Sequence, residues 1–509
     1  ILYVVQVPTP GIEKDAQEVQ QGKKTERELE ERGSWFENYR DYYTWCSLYN
    51  QASITDYYEA KASFSSQVTN SNLFKVGAEA WLMDQDYNAS SSETVSSFIW
   101  RTGFGTNYKA KTKYAAAYIQ DKIEFAGMVA NLGVRADAYN FGGKVPVDRY
   151  NLFYQAEYEG FPDGIGIPKW YDSKTYVTLS PRIGFSFPIS DKTAFRVQYG
   201  HFRSMPIIRQ ALDNQTNHGW GIYGNPNLEP KLSINYEVGL QQNLWGTHQL
   251  DVVTYYNDLK NQVSSIYVET SAGSTRTYYD WAKGTYITYD NSGYGTSQGV
   301  EITFSNRDVN RLRYRFSYTL SQTTSGNHGV YLYREEMTED MIQRYSFDAT
   351  DVLSSEDRTH RFNGSVSYTF PEKSGVKVIG FFPFENVTFG LVYRATSGLG
   401  YSWSPDYETD FVVESNRRYP IESSTDLQLE KRIKVEGMNF ILNVRILNLF
   451  NNKQLTPFTS YDELTRWVKR SVTYEDADDA PNRDYRLYNY FQVYKNIPRE
   501  VYFTVGLDF

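Results

Sequence analysis

The chain has 509 residues, a formal net charge of -9 and a mean hydropathy of -0.58. No apolar run approaches the roughly 20 residues that a membrane-spanning helix needs, which excludes a helical membrane protein. One cysteine, Cys46, excludes an internal disulfide, and the acidic balance argues against a nucleic-acid partner.

The anomaly is aromatic: 45 Tyr, 29 Phe and 10 Trp. A Tyr ring is apolar at one end and wet at the other, and belts of such rings mark membrane interfaces. In chain order, the pattern predicts strands at about 1–7, 55–69, 73–86, 109–123, 128–139, 176–188, 191–203, 231–244, 247–258, 294–307, 310–323, 357–370, 385–398, 422–433, 437–451 and 499–509. Between the first two, residues 12–32 (IEKDAQEVQQGKKTERELEER) read as a polar, solvated helical insert within 8–54. The domain reading is therefore a first strand and polar insert over 1–54, then barrel strands over 55–509.

The evidence for strands is alternation with period two. Phe195, Val197 and Tyr199 alternate with Arg196 and Gln198. Leu312, Tyr314, Phe316, Tyr318 and Leu320 alternate with Arg311, Arg313, Arg315 and hydroxylic residues. Phe440, Leu442, Val444 and Ile446 alternate with Asn439, Asn443 and Arg445, with Ile441 breaking the polar face. Strands of about 10–15 residues exceed the usual mode of about 5–6 and suit a tilted bilayer crossing. The connections alternate between a few residues and several tens. Outer-membrane barrels show that asymmetry, with short periplasmic turns and long extracellular loops. The expectation is an all-β, transmembrane antiparallel barrel of about sixteen visible strands, in contact with outer-membrane lipid, its C-terminus periplasmic. One face meets lipid because only a closed sheet pairs every backbone polar group there. The other face, with Arg311, Arg313, Arg315 and Arg445, meets a polar lumen.

No catalytic or nucleotide motif stands out, so neither an enzyme nor a cofactor is expected. GFGTNYK (103–109) is followed by no helix and does not make a phosphate loop. Asp476, Asp478 and Asp479 cluster in an acidic loop, a weak calcium candidate against the plainer reading of a solvated loop tip. The long loops are rich in Tyr, Trp and Asn. Trp220, Tyr223, Trp281, Trp403 and Tyr490 are the candidates for ligand capture, since rigid amphipathic rings supply contact area at small entropic cost.

Five segments resemble TonB-dependent outer-membrane receptors. They are YAAAYIQDKIEF with GMVANLGVRADAYN (114–140), LSPRIGFSFPISDKTAFRVQYGHF (179–202), GNPNLEPKLSINYEVGLQQNL (224–244), NVRILNLFNNKQ (443–454) and VYFTVGLDF (501–509). The resemblance is to the Bacteroidota-type variant with a carboxypeptidase-regulatory-like N-terminal domain. It implies a 22-stranded barrel filled by a plug, in a Gram-negative outer membrane. The chain is then expected to be strands 7–22, with the plug and its TonB contact upstream. It implies active import of a nutrient through the TonB complex, and the arginines would face the plug. Two other readings stand beside it: a docking barrel for surface lipoproteins or a secretion or adhesion complex, and a passive sixteen-stranded porin.

Far-ultraviolet circular dichroism of the detergent-solubilised chain is expected to show a strand spectrum. A mainly helical spectrum would refute the barrel.

Overall fold

Residues with unlike faces can sit still only where one face is apolar and the other wet, and the sheet follows that rule. The computed structural model describes residues 2–3, 47–95, 100–147, 149–150, 170–217, 220–270, 284–306, 310–329, 332–334, 352–379, 382–401, 417–435, 438–454 and 496–508. The predicted insert at 12–32 lies outside them.

The first half runs β1 (Leu2–Tyr3), β2 (Ser47–Gln67), β3 (Asn72–Val95), β4 (Trp100–Phe125), β5 (Met128–Asn140), β6 (Lys144–Pro146), β7 (Trp170–Asp172), β8 (Tyr176–Ser190) and β9 (Thr193–Ser204). A short helix, α1 (Ile208–Leu212), precedes β10 (Asn214–Asn217), β11 (Trp220–Tyr223), β12 (Lys231–Leu244) and β13 (His248–Thr270). Next come β14 (Gly284–Asn306), β15 (Leu312–Asn327), β16 (Leu332–Arg334), β17 (Val352–Leu353), β18 (His360–Thr369) and β19 (Val387–Thr396). The chain ends with β20 (Gly400–Tyr401), β21 (Arg417–Arg418), β22 (Glu422–Val435), β23 (Met438–Leu447) and β24 (Glu500–Asp508).

The long strands from β2 to β24 pair antiparallel with their neighbours in chain order, and β1 lies beside β2. Each predicted segment has its strand. Among the described residues β24 pairs only with β23, so this wall is an open arc.

The register makes two continuous faces. Val197, Val238, Val252 and Ile302 share one; Gln198, Glu237, Asp251 and Thr303 lie in the alternating positions. The apolar face is bare, with Phe503 77 % and Val505 72 % exposed. On the polar face Arg135 ion-pairs with Glu79 and lies 2.7 Å from Asp137. Farther round, Arg196 sits 3.2 Å from Glu237 and 3.4 Å from Asp251. Such pairs suit a wet interior, because unpaired charge in low dielectric is costly.

At one end the hairpins are tight. Ala126 and Gly127 turn β4 into β5 with φ of 48° and 83°, both left-handed, as a two-residue turn matching strand twist requires. The connection 370–386 is the longest at that end. There Lys431, on the apolar register between Leu429 and Ile433, donates from Nζ to the carbonyls of Pro383 (3.0 Å) and Glu385 (2.8 Å). The cation thereby gains acceptors at the sheet's edge.

Two expectations are corrected. Arg311 is not on the wall: with Asn310 it forms the left-handed turn before β15, with φ of 54° and 66°, so Arg313 is the first arginine on the polar face. The stretches 87–108 and 259–293 are not simply loops. β3, β4, β13 and β14 extend into them, far beyond a bilayer crossing. In these upper parts apolar residues are few and are interrupted by glycines and hydroxyl residues, even though Ile266, Val268 and Tyr286 are buried together, so a period-two reading does not find the strands.

Val238→Arg, on the apolar face, is expected to cost about 2–4 kcal/mol of folding stability in bilayers. Gln198→Lys, on the polar face of the adjacent strand, is expected to leave stability unchanged. Denaturant titration of vesicle-folded protein measures both.

Candidate functional site

At the end opposite the tight hairpins, tall strands rise past short ones. β5, β8, β9 and β12 stop low, while β4 and β14 continue upward. The gap between the tall strands is bridged by one hairpin. β10 pairs with β4 through Gln215–Thr106 and Thr216–Gly105, β10 pairs with β11, and β11 runs parallel to β14 from Trp220–Thr285 to Ile222–Ile287. The sheet therefore closes over the ends of the short strands.

The segment after this hairpin, Gly224-Asn225-Pro226-Asn227-Leu228-Glu229-Pro230, fastens the crown. Asn225 donates from Nδ2 to the Tyr289 carbonyl (3.0 Å), and its amide donates to the Gln210 carbonyl (2.9 Å). Asn227 accepts the Lys174 amide at Oδ1 (2.8 Å), and its carbonyl accepts the Tyr176 hydroxyl (2.6 Å). The Leu228 carbonyl accepts the Tyr139 hydroxyl (2.6 Å), and the Leu228 side chain is fully buried. Asn291 accepts the Glu229 amide (2.7 Å) and donates to the Glu229 carbonyl (3.0 Å). Seven residues thus tie together β5, the loop before β8, α1 and β14. Gly224 is required by close approach: a Cβ there would stand 2.5 Å from the Ala211 carbonyl carbon.

The Asn-Leu-Phe-Asn-Asn stretch at 448–452 acts alike. Asn448 donates to the carbonyls of Asn452 (2.9 Å) and Ile497 (3.2 Å), and Asn452 reaches the Ser423 hydroxyl (3.0 Å). Between them the buried Asp357 carboxylate ion-pairs with Arg418 and accepts the Thr323 amide (2.6 Å) and the Thr359 hydroxyl (2.9 Å).

Beneath the hairpin, Phe141, Tyr139, Ala110, Ala211 and Leu212 form a buried cluster. Beside it opens a cavity of about 550 Å³, lined among others by Tyr108, Lys109, Lys144, Arg149, Trp170, Asp213, Tyr223 and Asn225. The cations carry their own partners: Lys109 lies 2.7 Å from Asp86, Lys144 2.6 Å from Asp172, and Arg149 2.6 Å from Asp290. Asp213 is different. It is 5 % exposed, its Oδ2 is 3.5 Å from Arg209, and its Oδ1 is buried with no hydrogen-bond partner. Burial, then the neighbouring Tyr87 and Asp213, push the Tyr108 phenol up to about 12. Burial also raises Tyr223. Both rings stay neutral at physiological pH.

Of the predicted capture residues, Tyr223 lines this cavity and packs edge-on against Tyr286 at 5.4 Å. The backbone of Trp220 begins β11. Trp281, Trp403 and Tyr490, and the acidic candidates Asp476, Asp478 and Asp479, lie outside the described residues. Arg313 and Arg315 are on the polar face of β15, opposite Ser367 and Ser365, and Arg445 is opposite Gln428, far from the cavity in the sheet. Asp213, Tyr108, Arg149 and Trp170 escaped the sequence reading. Only the Tyr- and Trp-rich composition of the loops pointed toward this region.

Residues 14–449 match the family model described as TonB dependent receptor-like, beta-barrel. The chain belongs to that family. No curated protein sequence matches it. Among solved structures it is similar to the outer membrane transporter YddB from Escherichia coli, with 11% identity, a TM-score of 0.51, and coverage of 80% of this chain and 52% of that one. The ferric yersiniabactin uptake receptor FyuA from Yersinia pestis matches at 12% identity and a TM-score of 0.48, covering 80% and 50%. The FrpB iron transporter from Neisseria meningitidis matches at 13% and 0.47, covering 79% and 51%. The chain spans about half the length of these structures. For a TonB-dependent receptor-like barrel, the crown lies where the long loops gather.

Leu228→Ala is expected to destabilise the crown by about 2–5 kcal/mol, because it empties a filled site. Limited proteolysis should then cut within 205–230 while the lower wall stays protected.

Proposed function

We propose that this chain forms the wall and ligand-capturing crown of an outer-membrane importer energised through TonB. The observation that carries the reading is the family match over residues 14–449. It is supported by the two-faced wall and by the aromatic cavity in the crown. In this reading the tight hairpins face the periplasm, as does the C-terminus. The crown faces outward and holds a nutrient above a plug carried by the rest of the protein. Arg313, Arg315 and Arg445 face that plug and pair with its carboxylates, because a buried cation needs a counter-charge.

No covalent chemistry is assigned to the chain. Its residues bind, orient and wall off a route. A motor acting on the plug supplies the work. A plugged importer conducts almost nothing at rest, unlike a porin.

The whole protein in a planar bilayer is expected to remain closed, with sub-conductance flickers at most. A steady, ohmic current of porin size would replace import with passive diffusion. A surface lipoprotein co-purifying in one-to-one amount, together with nutrient uptake that does not change on deleting the gene, would replace it with docking.

A further inference from the structure

We propose that the crown cavity binds a protonated amine, with Asp213 Oδ1 as its counter-charge and Tyr108 and Tyr223 as its walls. The proposal rests on the capture role of the crown and names the chemistry the cavity selects.

A carboxylate oxygen buried without a partner costs free energy that a ligand donor can recover. Asp213 has such an oxygen, lines the cavity, and is almost fully buried. Its neighbour Arg209 lies 3.5 Å from the other oxygen, an ion pair at the long limit of a hydrogen bond. The other cations of the lining, Lys109, Lys144 and Arg149, each hold their own carboxylate, Asp86, Asp172 and Asp290. What is left open in this pocket is therefore an acceptor, the Oδ1 of the Asp213 carboxylate.

Backbone geometry holds that charge in place. Asp213 sits between α1 and β10; its carbonyl accepts the Gly224 amide (2.6 Å) and its amide donates to the Arg209 carbonyl (2.8 Å). The residue cannot swing to solvent without breaking the fastening segment.

Aromatic rings decide between the donors that could meet it. Neutral phenol rings present π faces, which attract an ammonium beyond ordinary packing. A divalent metal would need several converging ligands, and among the described residues no group of three His, Cys, Asp or Glu offers them. A sugar hydroxyl is a neutral donor, and its hydrogen bond to a carboxylate is weaker than the one an ammonium makes.

The test is calorimetry on the whole protein in detergent, with phenethylammonium and its neutral counterpart 2-phenylethanol as probes. Phenethylammonium is expected to bind at least about tenfold more tightly than the alcohol, the worth of one charge-assisted hydrogen bond. Asp213→Asn should remove that difference, and Asp213→Glu should retain part of it. Should Asp213→Asn fail to fold, Tyr223→Leu serves instead and is expected to weaken the ammonium about fivefold. Equal affinity for both probes, no binding of either, or an Asp213→Asn protein that binds the ammonium unchanged would overturn the proposal. No amine binding with a destabilised Asp213→Asn protein would overturn it too, because Asp213 would then be paired within the whole protein. Binding needs no transport, so the amine site and the import reading fail separately.

Discussion

Inside hydrocarbon a backbone amide or carbonyl has no water to bond, and each unpaired group costs several kcal/mol. This constraint governs the wall. The long strands from β2 to β24 follow one another antiparallel, each supplying the partners of the next. Once the ladder is set, side chains must fall alternately outward and inward. Valines and phenylalanines then stand bare on one face, and on the other arginines and carboxylates find one another, as Arg135 does with Glu79 and Asp137.

Above the bilayer that constraint lapses, and a different economy takes over. Water can satisfy any backbone group, so order must come from specific side chains. Asparagine does much of this work: Asn225, Asn227, Asn291, Asn448 and Asn452 each bond to backbone on a different stretch of chain. Its amide carries both donor and acceptor, so one residue can tie two strands. The bridging hairpin between β4 and β14 is held by this network, and the cavity with its unpartnered carboxylate exists because the hairpin is held.

The lower wall was legible in the sequence because lipid and water write different residue types on alternate positions. Even there the edges were not. Arg311 reads as the first of an alternating arginine series but occupies a left-handed turn, since composition does not say where a strand stops. The upper halves of β3, β4, β13 and β14 were illegible for a simpler reason: nothing in NASSSET or GFGTNYK alternates, and the burial of Ile266, Val268 and Tyr286 comes from packing between strands. The Asn-Pro-x-Leu-x-Pro segment was visible as a family likeness, yet its role as a fastener appeared only with its partners, which lie up to 89 residues away.

By itself the sequence determined the strand class, the apolar and polar faces, the order of long and short connections, and through five ordered segments the receptor likeness. Those are local properties, carried by period and by neighbouring residues. Tertiary structure alone decided that loop 205–230 folds down as a hairpin across four short strands, and that Asp213 is buried beside two tyrosines with one oxygen unpaired. Burial and partnership depend on chain that is distant in sequence, so no reading of the residues around position 213 could have revealed them.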